Sequence, residues 1–381
     1  MIKFILVGKS TRVGIQVLQA IRSFSPEKCM VIGSQESVSL SWSMLCAEHV
    51  LLDLDGVGDD YFVYLINKRA AKTPGVVLIP FDCAGMRLAA RVRSRLNLQI
   101  IPTPELATVD MFDDKWTFHE FCIKNSLLVP ETRFIGSKTD LNFELVTTEL
   151  GLPFILKPTR ESGSLGVQII ESRQQFEENI LNDQNYDFSR LIAQRYIAGI
   201  DMGLSLFSMK GRLCSFAIQR PTGLQLDFLS NAHLKEIALK ICQTSGYHGV
   251  MHVDIRLEKK TGKLFLIESN PRFWASLTAS VWCGMNFVAQ SIDPPPEFNE
   301  VQEIQEVQEL TSGTFYRRNP LIRPSSWRSL VFDRGAGGRL LRAIAFDWFT
   351  LGTLIKELPV MARRFAHRRT GSRFKFLELK K

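Results

Sequence analysis

The sequence lacks the patterns that mark small secreted, membrane-spanning and nucleic-acid-binding proteins. Its seven cysteines (Cys29, Cys46, Cys83, Cys122, Cys214, Cys242 and Cys283) are scattered, with no two in a C-x-x-C or related ligand spacing. They read as buried thiols in a reducing compartment. The opening run, Met1 to Gly8, has neither the long apolar core nor the small-residue cleavage site of a secretion signal. It reads as a buried first strand, and the chain as cytoplasmic. The apolar stretch Leu340 to Ile355 is interrupted by Arg342 and Asp347 and is too short to span a bilayer. No nucleic-acid-binding motif accompanies the basic residues, which sets nucleic acid aside as a partner. The composition of a disordered chain is absent too: 45% of the 381 residues are hydrophobic and 23% charged, enough for two or three domains with cores of their own.

What is present is unevenly distributed. Residues 317–381 hold sixteen lysines and arginines against four acids, whereas residues 1–316 hold 31 against 35, so the net charge of +8 belongs to the tail. That tail reads in two ways. Its helical stretch lies on an anionic membrane surface, with Arg363, Arg364, Arg368, Arg369, Arg373 and Lys375 beyond it, or it packs on the body and ends in a basic terminus.

Along the body, residues 2–7 are an apolar strand followed by Gly8-Lys9-Ser10-Thr11-Arg12-Val13-Gly14 and a helix burying Ile15, Leu18 and Ile21. Further strands at Met30 to Gly33, Val50 to Leu54 and Val76 to Pro80 alternate with helical stretches at Tyr61 to Lys72 and Met86 to Leu96. Such alternation predicts a parallel sheet covered on both faces, with Lys9, Arg12 and Asp82 placed near its ligand-binding edge. The turn at Gly8 is G-x-x-x-x-x-G and reads first as structural. Pro102-Thr103-Pro104 marks a boundary before a helix that begins near Lys115. Strands at Leu191 to Ile197, Leu204 to Met209 and Leu213 to Gln219 follow, then a helix at Ala232 to Thr244. Asp293-Pro294-Pro295-Pro296 is expected to end the compact part, and the glutamate-rich stretch 297–310 reads as a linker or short covering helix.

Two stretches carry chemistry. Phe154-Ile155-Leu156-Lys157-Pro158 leads into Thr159 to Val167, a loop containing Ser162, Gly163, Ser164 and Gly166, before a returning strand. Its glycines let backbone N–H groups close over an anion, although a mobile hairpin loop would look the same. From His252 to Arg272, alternating Val253, Ile255 and Leu257, turn residues 259–263 and the run Leu264 to Ile267 predict an antiparallel hairpin. A turn centred on Thr261 sets Asp254 opposite Glu268, and opposed carboxylates repel unless a cation lies between them. With Asn270, these oxygens suit magnesium or manganese, and Arg272 beside them suits a phosphate or carboxylate. A one-residue bulge breaks that register, and a solvated hairpin with ordinary acids is the alternative.

Taken in order, Lys115, Lys157 before the Gly/Ser loop, Gln194-Arg195-Tyr196-Ile197-x-Gly199, Asp254 and Glu268-x-Asn270-Pro271-Arg272 resemble the ATP-grasp superfamily over roughly residues 105–292. The region before it is similar to the domain that precedes ATP-grasp folds in carboxylate-amine ligases and in the large subunit of carbamoyl phosphate synthetase. The resemblance implies a Rossmann-like α/β domain at 1–104 and a two-lobed α+β ATP-grasp domain at 105–293, whose smaller lobe spans about 127–193 and larger lobe about 194–293. A linker at 294–316 and a basic helical extension at 317–381 would follow. It also implies Lys115 and Lys157 on ATP phosphates, Ser162 to Gly166 as a covering loop, and Gln194 to Ile197 against adenine. Asp201 would lie near the ribose, Asp254, Glu268 and Asn270 on Mg2+ or Mn2+, and Arg272 on the transferring phosphate. Gln194 stands where the family commonly has glutamate, and Asp254 where glutamate is frequent. The implied activity joins a small carboxylate to an amine through an acyl phosphate. The alternatives are a carboxylase acting through carboxyphosphate and a non-catalytic ATP-binding scaffold at a membrane.

Overall fold

A computed structural model describes residues 2–295, 307–317, 319–352 and 355. The apolar opening run forms β1 (Ile2–Val7), which pairs in parallel with β2 (Lys28–Gly33) and β4 (Val77–Pro80). With β3 (Cys46–Leu51) and β5 (Gln99–Ile100) at the edges, the order is β3-β2-β1-β4-β5. Successive side chains enter opposite cores. Leu6, Val31 and Ile79 pack with Val17 and Ile21 of α1 (Thr11–Phe24). Ile5, Val7 and Ile32 pack with Phe62 and Ile66 of α2 (Asp59–Ala70) and Leu88 of α3 (Cys83–Val92). The parallel sheet covered on both faces is therefore present. Its third strand begins earlier than the apolar run suggests. The edge pairing uses Cys46 to Leu51, and Leu54 is buried beyond the strand's end.

Helices α4 (Leu106–Asp113) and α5 (Lys115–Lys124) lead into two mainly antiparallel sheets. The smaller contains β6 (Thr132–Ile135), β7 (Phe154–Pro158), β8 (Gln168–Ile170) and β9 (Leu191–Arg195) in the order β6-β9-β7-β8. The larger is built on the long strands β10 (Gly199–Met209), β11 (Arg212–Thr222) and β13 (Gly249–Glu258). The strands β12 (Gln225–Leu229), β14 (Leu264–Asn270), β15 (Gln308–Leu310) and β16 (Ser312–Tyr316) complete it. One face is covered by helix Ala232–Ser245, through Leu234, Ile237 and Ile241.

The fold does not stop at Asp293. β15 pairs in parallel with β11, and β16 pairs with β12, so part of the expected linker is strand. Residues 296–306 lie outside the described residues. Helix Ala336–Phe346 buries Leu340, Leu341, Ala343 and Ala345 and packs against α1, with Arg339 Nε donating to Ser23 O at 2.8 Å. Asp347 Oδ1 then accepts from Ser43 Oγ at 2.9 Å and Met44 N at 2.7 Å. This part of the tail packs on the body, whereas the basic residues from Arg363 onward lie outside the described residues. Among the described residues no helix is long and apolar enough to cross a membrane.

Candidate active site

The hairpin β13–β14 places the two acids. Near the turn its partners are Leu257↔Leu264, Arg256↔Phe265 and Ile255↔Leu266, one residue off the register read from a turn centred on Thr261. Ile267 then bulges out, and Asp254↔Glu268, Val253↔Ser269 and His252↔Asn270 follow in the expected register. Bulges of this kind re-aim side chains beside active sites. Here the bulge falls immediately before Glu268.

Around this pair the contacts form a chain. Asn270 Nδ2 donates to Asp254 Oδ2 at 3.2 Å, and Arg272 Nη2 donates to Asn270 Oδ1 at 2.7 Å while Nη1 holds Phe273 O. His252, two residues before Asp254 and on the same face of β13, is bonded through Nδ1 to Ser205 Oγ at 2.9 Å. Its Nε2 is 3.5 Å from Asp254 Oδ1, and its ring stacks on Trp274. Burial pushes the Asp254 carboxyl up, but the hydrogen bond and charge of His252, with the charge of Arg272, outweigh it and hold the group below the ordinary aspartate range. The donor set is two carboxylates and an amide oxygen, which fits a hard cation such as magnesium.

The lysines approach from the other side. Asp114 caps α5 by accepting from Trp116 N and Thr117 N, and Lys115 N donates to Thr159 O. This brings the buried Lys115 Nζ to 2.6 Å from Glu161 O and 3.4 Å from Glu268 Oε2. Lys157, on β7, is 3% exposed, and burial pushes its ammonium down to about 8, against the opposing charge of Glu268. The loop after it is exposed at Ser162, Gly163 and Ser164, where Gly163 and Ser164 have φ of 68°. Its far end is anchored: Gly166 O accepts from Tyr186 Oη at 2.9 Å, and a Cβ on Gly166 would meet Pro158 and Phe188 at 2.7 Å.

On β9, Gln194 is buried and its Nε2 donates to Thr132 Oγ1 at 3.0 Å, leaving Oε1 buried without a partner. Such an acceptor is costly unless a ligand donates to it. Arg195 is held by Glu131 and Glu258, Ile197 O accepts from Arg256 Nε at 3.0 Å, and Asp201 is bonded to Arg256. Arg256 was not singled out by the sequence. Of the residues suggested near the first sheet, Lys9 pairs with Asp55, and Asp82 accepts from Lys9 N, Ser10 N and Gly85 N. Both serve the turn, and only Arg12 reaches a cavity of the site.

Two cavities meet at the acids. One, of about 440 Å³, is lined by Lys115, Lys157, the segment Gln194 to Ile197 and Arg256. The other, of about 720 Å³, is lined by Asn270, Arg272, Trp274, Ser162, Gly163 and, from the first domain, Arg12. Ser164, Asp201, Met202, Asp254 and Glu268 border both. The sequence missed His252, whose i, i+2 spacing from Asp254 was the available signal, and Arg317, which enters the larger cavity from the end of β16.

Comparison with known proteins finds relatives of similar sequence over part of the chain and structures of similar fold. The family described as D-ala D-ala ligase C-terminus matches residues 128–219. A D-alanine–D-alanine ligase of Polynucleobacter asymbioticus is 28% identical over 180 residues, covering 41% of this chain and 52% of the relative. The chain thus spans about half the length of the curated relatives it matches. Among solved structures, an L-amino acid ligase from Bacillus licheniformis has a TM-score of 0.56 at 15% identity, covering 77% of this chain and 75% of that one. An N5-carboxyaminoimidazole synthetase from Staphylococcus aureus complexed with ADP has a TM-score of 0.58 at 14% identity, covering 78% and 80%.

Proposed function

Starting from a chain with the ATP-grasp fold, we propose an ATP- and magnesium-dependent ligase that joins a carboxylate to an amine through an acyl phosphate, releasing ADP and phosphate. The observation that carries this reading is the meeting of the two cavities at Asp254 and Glu268, with two lysines on one side and Arg272 on the other.

In this reading ATP enters the smaller cavity, its adenine against the Gln194 to Ile197 segment, with the unpartnered Gln194 Oε1 accepting from the base. Asp201 borders the ribose, and Lys115 and Lys157 hold phosphate oxygens beneath Ser162 to Gly166. Asp254, Glu268 and Asn270 would hold Mg2+, or Mn2+, which when bound supplies positive charge to the phosphates and aligns them. A substrate carboxylate in the larger cavity attacks the γ-phosphorus, and the bond to the ADP oxygen breaks. Arg272 neutralises charge on the transferring group. The amine then attacks the acyl carbon, phosphate leaves with the C–O bond pair, and the amine loses a proton. Closure of the exposed loop keeps water from the acyl phosphate.

ADP release with Mg·ATP and pooled amino acids, other carboxylates or bicarbonate tests the reading. Stimulation by a carboxylate–amine pair, absent in Glu268→Gln, supports it. Stimulation by bicarbonate alone would make the enzyme a carboxylase, the chemistry suggested by the synthetase neighbour's name.

A second proposal concerns place. Trp42, Met44, Phe346 and Trp348 are exposed beside the Ser43, Met44 and Asp347 contacts, and the strongly basic residues 356–381 follow. Exposed aromatics next to a polybasic segment suit the interface of an anionic membrane. Binding to anionic liposomes, compared with neutral ones, tests this.

A further inference from the structure

We infer that the carboxylate substrate carries a second anionic group, a carboxylate or a phosphate, held in the larger cavity by Arg12 and Arg317. The inference rests on the ligase reading for what happens at the acids. Its own support is the set of charged residues that line the cavity.

Arg12 lies in the first turn of α1, and Arg317 follows β16, fixed there by its N–H to Leu224 O at 2.9 Å. Both border the 720 Å³ cavity. Among the described residues neither is paired with a carboxylate, whereas the other arginines around the first domain generally are: Arg69 with Glu48, Arg87 with Asp110 and Asp113, Arg91 with Asp59, and Arg93 with Glu105. The first turn of α1 carries no acid, although that is where a helix favours negative charge. Of the acids bordering the cavity, Asp254 and Glu268 face each other and Asp201 is taken by Arg256. Arg12 and Arg317, brought by different parts of the chain, thus line one cavity, and among the described residues neither has a carboxylate partner. A substrate with one carboxylate satisfies Arg272 and leaves them unmatched. An α-ammonium group would find no acid of the lining left free, since Asp201 is bonded to Arg256 and Asp254 faces Glu268.

Direct binding separates this proposal from the ligase reading. Succinate, phosphoglycolate, propionate and D-alanine are titrated by calorimetry into the full chain holding Mg·ADP, which also reports that each variant is folded. One dianion is expected to bind about tenfold or more tighter than propionate, from one added charge-assisted contact. The preferred dianion tells whether the second group is carboxylate or phosphate. The preference should be lost in Arg12→Ala and Arg317→Ala and partly kept in Arg12→Lys. Equal affinity for mono- and dianions, or a preference that survives both alanine substitutions, overturns the inference whether or not ADP is released. Failure of ADP release with every pool counts against the ligase reading and leaves the binding result to stand or fall separately.

Discussion

Asp254 and Glu268 oppose each other because Ile267 between Leu266 and Glu268 has no partner on β13. The bulge lets a hairpin whose apolar pairs sit in one register present its acids in the next. Two carboxylates so placed raise the electrostatic cost of the ligand-free fold, which a divalent cation would relieve. Glu268→Gln removes one carboxylate while preserving shape. We expect turnover to fall by about a hundredfold or more, with Mg2+ affinity for the nucleotide complex weakened and the fold intact, relief of the carboxylate repulsion being offset by loss of the Lys115 ion pair. Full activity in this variant would remove the acid pair from the mechanism.

Much of this was legible because functional side chains on neighbouring strands obey a period of two. Counting outward from a turn centred on Thr261 gives the observed pair, because the hairpin's actual centre lies half a residue away and the bulge restores the count. What the sequence hid was long-range. The approach of Lys115 to Glu268 depends on α5 docking against the end of β7, and Arg317 reaches the cavity only because β16 pairs with β12. No local pattern in 312–317 signals that return, since Ser312-Gly313-Thr314-Phe315-Tyr316 has no apolar alternation and its burial alternates only once the strand is paired. The packing of the tail helix is illegible in the sequence for a related reason. An apolar stripe on a basic segment fits a membrane or a neighbouring helix equally, and only the placement of α1 decides between them.

Lys157 gives opposite pH signs for stability and binding. Its folded-state value of about 8 lies below the ordinary 10.5, so between these values the unfolded chain holds a proton that the folded chain has shed. Stability of the nucleotide-free protein should therefore rise with pH across that window, by about 3 kcal/mol in full. ATP affinity should fall over the same range as the ammonium charge on the phosphates is lost. Denaturant titrations and nucleotide titrations at pH 7.5 and 9.5 measure both, and Lys157→Met should flatten both slopes. Identical slopes in the variant would mean that other groups set them.

Gly203 lies opposite Asp254 on β10, and a Cβ there would stand 2.5 Å from His252 Cε1 and 2.9 Å from Nε2. Gly203→Ala should push the imidazole out of its place between Ser205, Asp254 and Trp274. We expect a stability loss of about 1–3 kcal/mol together with weaker divalent-cation binding. A destabilised variant that binds the cation normally would show that His252 does not position Asp254.

The lone acceptor at Gln194 predicts base selectivity. Adenine offers an exocyclic amine, whereas inosine triphosphate presents a carbonyl oxygen there. The wild type should bind ATP more tightly than inosine triphosphate, and Gln194→Leu should narrow the gap by about tenfold. Equal binding of the two nucleotides to the wild type would take Gln194 out of the base contact.

Truncation distinguishes the structural part of the tail from the basic part. Removing residues 317–381 takes away Arg317 and helix Ala336–Phe346, which packs against α1 and buries Leu340, Leu341 and Ala345. Exposing that face should lower stability by several kcal/mol at roughly 2–3 kcal/mol for each large buried aliphatic side chain, and ligase activity should go with it. Removing only residues 356–381 takes away nine cations against two acids and leaves the packed helix in place. Thermal unfolding and turnover should then match the full chain, while binding to anionic liposomes is lost. Unchanged liposome binding after the shorter truncation would assign any membrane affinity to the exposed aromatics, and absence of binding in the full chain would end the membrane proposal.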